Sequence, residues 1–306
     1  MTDLQLGVAL PNFMLGANAE AVDAAAATAE RLGWHSAMTT DHILVPRAAA
    51  PLYGDMLEAV ATLAYLAGRT ERLLLGTSVI VVPMRNAVLL ARELATVDVL
   101  SRGRLIVGVG IGWNEGEFVN VGVAERFHQR GRYLDEAIRL WRHLWSGARE
   151  PFEGRFFSFS DFAFGPLPAQ PGGPPIWIGG RSEPAVRRAG RLADVYESSA
   201  TSPDAYAERI GILQEAAAAA GRPMPRLSAR VVVRFDEAPS SAGYTVSGGD
   251  DAVAAELRRF LDLGVEHLLI SFNEVRAERV VADIERFDRE VRPRLGAVAE
   301  PAAPSG

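Results

Sequence analysis

The residues of this chain that are equipped for proton, anion or ring chemistry stand in short clusters, each just past an apolar run. Asp41-His42 follows residues 36–40. Imidazole is the natural proton carrier near neutral pH, so His42 is a candidate proton donor or acceptor with Asp41 as its orienting carboxylate; capping of a loop is the alternative. Gly179-Gly180-Arg181-Ser182 lies between an apolar run and a helical segment with Pro184 near its start. Backbone N–H groups and a helix dipole there suit an anion such as phosphate, with an ordinary tight turn as the plain alternative. Gly110, Ile111 and Gly112 follow another run, and their glycines let backbone lie against a planar ring. The stretch Gly108-Val109-Gly110-Ile111-Gly112 matches a dinucleotide fingerprint only superficially, since the acidic residue about 20 positions on is missing and a long loop follows. Asn12, Phe13 and Trp113 are candidate substrate contacts, with Phe127 and Tyr244 as further aromatic lining. His35, His128, His143 and His267 read as structural or solvated.

Positioning these clusters requires regular elements. Strand-length apolar runs cover 4–11, 36–40, 73–82, 104–110, 175–179, 193–198, 227–235 and 267–271, and amphipathic helical segments follow at 19–32, 55–70, 88–101, 130–146, 184–192, 203–220, 250–263 and 276–294. Pro184 and Pro203 stand where a first-turn proline is tolerated, and Gly33, Gly221 and Gly264 where a helix ends. Strands and helices alternating in this way predict an α/β protein, a single (β/α)8 TIM barrel over 1–296, with 297–306 as a disordered tail. Four connections exceed the usual length, at 42–54, 111–129, 147–174 and 236–249. Three of them follow a strand and therefore form insertion loops at the C-terminal mouth, where barrel active sites are built; 239–249 is the lid candidate.

Composition narrows the function. A net charge of -6 with a pI near 5.5 leaves no cationic face for nucleic acid. The absence of cysteine removes disulfides, thiolate ligands and thiol nucleophiles, and the absence of lysine removes Schiff-base chemistry and a P-loop lysine. No apolar run is long enough to span a membrane and no secretory leader is visible, so the expected location is cytoplasmic. Pro11-Asn12-Phe13 stands where a barrel metallohydrolase needs histidines, so no metal site is expected. Asp41 and Glu115 make a poor glycosidase pair.

Four blocks carry a family resemblance: 36–42, 75–79, 103–113 and 175–180, with 130–145 and its Asp135-Glu136 as a fifth. On these the chain resembles the luciferase-like monooxygenase superfamily, within it the deazaflavin (coenzyme F420)-dependent oxidoreductases, over nearly its whole length. The resemblance implies a cis peptide at Ser78-Val79 behind the cofactor ring, a phosphate site at Gly179, Gly180 and Arg181, and a ring-side proton carrier at His42. It further implies a homodimer. Where sugar-phosphate dehydrogenases of this branch carry a glutamate two residues past the strand-4 glycine, this chain has Gly112-Trp113, which argues against sugar phosphate as substrate. The expected function is hydride transfer between F420 and a small organic substrate. The alternatives are an FMN-dependent monooxygenase served by a flavin reductase, and a flavin-binding barrel without turnover. Arg181, Arg187, Arg188 and Arg191 are candidates to follow the polyanionic tail of F420.

Overall fold

In the computed structural model, which describes residues 4–237 and 243–296, the apolar runs become short parallel strands. They are β1 (Gln5–Ala9), β2 (Ser36–Thr39), β3 (Leu74–Thr77), β4 (Ile80–Val81) and β5 (Leu105–Gly110), followed by an antiparallel pair, β6 (Phe152–Glu153) and β7 (Ser158–Phe159). The series ends with β8 (Ile176–Gly179), β9 (Val195–Ser199), β10 (Arg226–Phe235), β11 (Val246–Gly248) and β12 (His267–Ser271). β1 pairs with both β2 and β12, and β10 with both β9 and β12, so eight parallel strands close on themselves. The expected (β/α)8 barrel is the fold.

Around it run α1 (Ala19–Arg31), α2 (Ala50–Tyr53), α3 (Ala59–Ala67), α4 (Ala87–Leu100), α5 (Glu115–Asn120), α6 (Arg130–Trp145), α7 (Glu183–Leu192), α8 (Pro203–Ala219), α9 (Asp250–Asp262), α10 (Ala277–Arg286) and α11 (Arg292–Leu295). Side-chain chemistry marks their starts: Asn18 caps α1, Glu58 caps α3 and Ser202 caps α8, while Pro184 and Pro203 occupy first turns.

Inside the barrel, Ala9, Met38, Ile106, Trp177, Val195 and Leu269 form an apolar plug. Side chains alternate along each strand, so two residues further on the inward positions include Thr40, Gly108, Gly179, Glu197 and Ser271. The plug is therefore roofed, toward the C-terminal ends, by polar side chains and glycines. At the opposite end His267 bonds both Ser36 and Ser228.

Several elements differ from the sequence reading. The run 73–82 is broken at the cis Ser78-Val79 bond, so β3 and β4 are separate. The loop 111–129 contains α5 and a 3-10 turn (Ala124–Gln129), and 147–174 contains the β6–β7 pair. The segment 276–294 is interrupted by a π turn at Phe287–Val291. Of the lid candidate 239–249, residues 246–248 form β11, paired in register with Val233 to Phe235; residues 239–242 and the tail 297–306 lie outside the described residues.

Candidate functional site

At the C-terminal ends of β2, β3, β5, β8 and β9 opens a cavity of 560 Å³. His42, Asp41, Ser78, Val79, Gly110, Ile111, Gly112, Trp113, Gly179, Gly180, Arg181 and Ser182 all line it, as the sequence clusters predict. Glycine is required at two places on its wall. The Val79 side chain packs against the backbone at Gly110 and Gly179, where an added Cβ would lie 2.5 and 2.7 Å from its methyl carbons. Gly180 has φ 143, a backbone conformation that side-chain-bearing residues rarely adopt, and leads directly into α7. Substitution at Gly180 would therefore strain the backbone and place a Cβ 2.6 Å from that of Ala185.

His42 is held by a residue other than its sequence neighbour. Its Nδ1 lies 2.7 Å from Glu117 Oε2, and Glu117 Oε1 accepts the Ile43 N–H at 2.6 Å. Glu117 is fully buried at the start of α5. Burial opposes its ionisation, but hydrogen bonds from His42 and from the Ile43 and Leu44 backbone outweigh it and lower its pKa. Among the described residues Nε2 of His42 takes no partner, and the ring is flanked by Tyr53 at 4.1 Å and Trp113 at 6.1 Å between centroids. Asp41, expected to orient His42, does different work. Its carboxylate receives both Nη atoms of Arg85 at 2.7 Å and the Val81 N–H at 2.8 Å. Burial pushes its pKa up against the pull of Arg85. It ties β2 to β4 and the turn before α4.

Asn12 also proves to be a strut, fully buried, bonding Thr40 through both amide atoms and Leu57 through its nitrogen. Buried in this way, it does not reach the cavity wall. Phe13 is buried against Tyr53 and under the Arg230 guanidinium, outside the cavity wall. Trp113 alone of the three substrate candidates stands at the mouth, 60% exposed. Tyr244 donates to Glu256 and packs on Phe260, and Phe127 packs on Phe118 and under Arg130, so neither lines the mouth. The arginine row on α7 is likewise committed. Arg187 pairs with Glu183 and Glu215, and Arg188 and Arg191 pair with Asp135. Only Arg181 of that set faces the cavity, where it is joined by Arg130 of α6, whose buried Nε has no partner.

Two charged residues of the floor escaped the sequence reading because both sit inside strands. Arg230 of β10 donates to the Ser78 carbonyl and to Thr40 Oγ1, and Ser78 Oγ donates to Glu197 Oε1 at 2.6 Å. A hydrogen-bonded chain thus crosses the barrel from Thr40 through Arg230 and Ser78 to Glu197. Burial raises the pKa of Glu197, with Ser78 and Arg230 pulling the other way.

Fold and site together define a (β/α)8-barrel protein with a ligand cavity at its C-terminal mouth. The sequence profile of the luciferase-like monooxygenases matches residues 5–261, and the chain belongs to that family. An uncharacterized protein of Mycobacterium bovis is 30% identical over 278 residues, spanning 86% of this chain and 91% of its own. The F420-dependent glucose-6-phosphate dehydrogenase of Nocardia farcinica is 27% identical over 346 residues, covering 98% of this chain and all (100%) of the relative. Among solved structures, an F420-dependent secondary alcohol dehydrogenase in complex with an F420-acetone adduct superposes with TM-score 0.79 at 19% identity, covering 96% of this chain and 99% of that one. The oxygenating constituent of 3,6-diketocamphane monooxygenase from Pseudomonas putida, in complex with FMN, gives 0.77 at 16% identity, with 96% and 99% covered. Both structures share the fold. Among the described residues no helix is long and apolar enough to cross a membrane.

Proposed function

We propose that the protein is an oxidoreductase that transfers a hydride between coenzyme F420 and a small organic substrate, with His42 as its proton carrier. The observation that carries this reading is the buried Glu117 carboxylate on His42 Nδ1, beside a cavity that ends at the Gly179-Gly180 turn. Relatives whose names record F420 dependence support the choice of coenzyme. The residues present fit such a group. The turn Gly179, Gly180, Arg181 and Ser182 would hold its phosphate through Arg181 and the backbone beyond Gly180, whose own N–H is given to the Glu197 carbonyl; Ser78-Val79 would back its ring, Gly110 to Gly112 would lie along it, and Trp113 would meet substrate at the mouth.

When bound, the coenzyme supplies the hydride chemistry. The protein supplies the proton and its placement. With Nδ1–H given to Glu117, the imidazole presents Nε2 to a substrate oxygen: it takes the hydroxyl proton when an alcohol is oxidised and returns it when a carbonyl is reduced. The imidazolium formed in the first case is stabilised by the adjacent carboxylate. Tyr53 and Trp113 flank the ring and limit its access to water. The assembly proposed is a homodimer, supported by exposed Tyr65, Val88 and Leu89 on the outer faces of α3 and α4, and the compartment proposed is the cytoplasm.

The test is discharge of reduced F420 by a panel of small aldehydes and ketones, followed by absorbance, with wild type and His42→Ala. Substrate-dependent discharge that His42→Ala loses supports the proposal. Oxygen-dependent product formation with reduced FMN and none with F420 would make the protein an FMN monooxygenase, and binding without discharge by any substrate would make it a barrel that carries the coenzyme without turnover.

A further inference from the structure

The Glu197 carboxyl is half satisfied. Oε1 accepts the Ser78 hydroxyl, while Oε2 is buried and has no partner. A buried polar oxygen left without a hydrogen bond is costly, and such groups in native proteins call for a reason. The residue is 3% exposed and lines the cavity from below, so the free oxygen can be reached only by something that fills the cavity to its floor. Glu197 is itself part of the cavity lining, beside Gly179, its pair on β8, where a Val79 methyl takes the space of a side chain. A substrate entering from the mouth meets Trp113 and His42 first; the group that reaches the floor is the one anchored at the Gly180 turn, and Gly180 N–H donates to the Glu197 carbonyl at 3.3 Å. Arg230 spends its hydrogen bonds on Ser78 and Thr40 and acts on Glu197 only through space, so it leaves Oε2 without a hydrogen-bond donor.

We infer that Glu197 is a cofactor-contacting residue whose free Oε2 accepts a hydrogen bond from an N–H or O–H donor of the bound tricyclic cofactor. The inference rests on the cofactor reading above and adds to it a contact on the side of the cavity opposite His42. Flavins and deazaflavins bring two such donors, the imide N–H of the ring and the hydroxyls of the polyol chain that joins ring to phosphate. The chain Thr40, Arg230, Ser78, Glu197 then works as a fixed polar platform under the ligand, with Ser78 serving both the cofactor-backing bulge and the carboxyl.

The experiment titrates F420 and FMN, by fluorescence, into wild type, Glu197→Gln and Glu197→Leu, with thermal unfolding of each apo protein in parallel. Removal of a buried carboxyl oxygen from a ligand contact is expected to weaken binding roughly 10- to 100-fold in Glu197→Leu, with Glu197→Gln between it and wild type. Apo Glu197→Gln is expected to melt no lower than wild type, because the amide can keep the Ser78 hydrogen bond; Glu197→Leu also loses the counter-charge of Arg230, so its melting is compared with that of Glu197→Gln. A role confined to the barrel's stability predicts the reverse pattern, unchanged affinity with altered melting, and that result overturns the inference. Lumiflavin, which keeps the imide and lacks the polyol chain, separates the two donors: a retained difference between wild type and Glu197→Leu assigns the contact to the imide, and a vanished one assigns it to the hydroxyls. Wild type that binds neither F420 nor FMN overturns the cofactor reading and this inference together, whereas tight wild-type binding with equal affinity in both variants overturns the inference alone.

Discussion

Replacing Glu117 by glutamine isolates the charge that holds His42. The carboxylate serves two donors at once, Nδ1–H of His42 at 2.7 Å and the Ile43 N–H at 2.6 Å. Glutamine has one acceptor oxygen: if it keeps the Ile43 N–H, its NH2 group meets Nδ1 and forces the imidazole into the other tautomer, and if it keeps Nδ1–H, it leaves the Ile43 N–H unpaired. In the second case the buried unpaired donor should cost about 1–3 kcal/mol of stability. The effect on turnover has a separate origin. A hydrogen bond to a charged partner contributes about 1.5–3 kcal/mol and a neutral one about 0.5–1.5, so loss of the charge removes about 1–1.5 kcal/mol of imidazolium stabilisation, or roughly 5- to 15-fold in turnover. His42→Ala should cost roughly 100-fold or more, the scale of a lost general acid or base. The two residues act as one unit, so Glu117→Gln combined with His42→Ala should be no slower than His42→Ala alone. The assay is steady-state discharge of reduced F420 by the best substrate of the carbonyl panel, with coenzyme affinity measured in parallel. Wild-type turnover in Glu117→Gln, or a double variant slower than His42→Ala by a further factor of about 10, would refute the reasoning.

Asp41→Ala should act on stability before chemistry. Among the described residues it leaves Arg85, whose side chain is 13% exposed, with Glu58 alone as an acidic partner, and loss of a buried partner costs about 3–5 kcal/mol, read from the denaturant midpoint; a variant of wild-type stability that turns over 100-fold more slowly would return Asp41 to the catalytic role. The pH dependence of stability should carry the mark of His267, whose burial holds its pKa well below the ordinary value, with His35 and Arg226 acting in the same direction. The unfolded chain takes up that proton near pH 6.5 and the folded protein does not, so this contribution is complete above about pH 6.5 and is lost as pH falls below it, by up to about 1.4 kcal/mol per pH unit. Guanidinium unfolding at pH 7.5 and 5.5 measures it, and equal stability at the two values would contradict the assignment.

The barrel was legible because its strands are covered on both faces and so read as continuous apolar runs, and because prolines and glycines punctuate its helices where capping requires them. The cavity wall was legible too, since the fold puts whatever follows a strand at the mouth. What escaped was pairing across the fold. Asp41 adjoins His42 in sequence, yet both lie past the end of β2, where Asp41 is taken by Arg85 and the Val81 N–H, and the partner that reaches the imidazole comes from α5, 75 residues away. The arginines of α7 have the spacing of a row on one face, but only the position of Asp135 on α6 and Glu215 on α8 shows that Arg187, Arg188 and Arg191 are spent on protein carboxylates. Arg230 and Glu197 lie within strands that were weighed only as apolar runs. One signal did point to Glu197: it stands two residues past Val195, on the inward side of the strand, where a charge needs a reason.

Which cofactor the cavity takes decides the proposed function most directly. Arg181 and Arg130 line the cavity, Arg130 with one Nη on the Phe127 carbonyl, and both cofactors share a ring and a phosphate, so the longer anionic tail of F420 is what these arginines can discriminate. Fluorescence titration of F420 and FMN into the purified protein at low and high salt measures this. F420 should bind the more tightly of the two and lose more affinity as salt rises. Tight FMN binding with none for F420 would contradict the account.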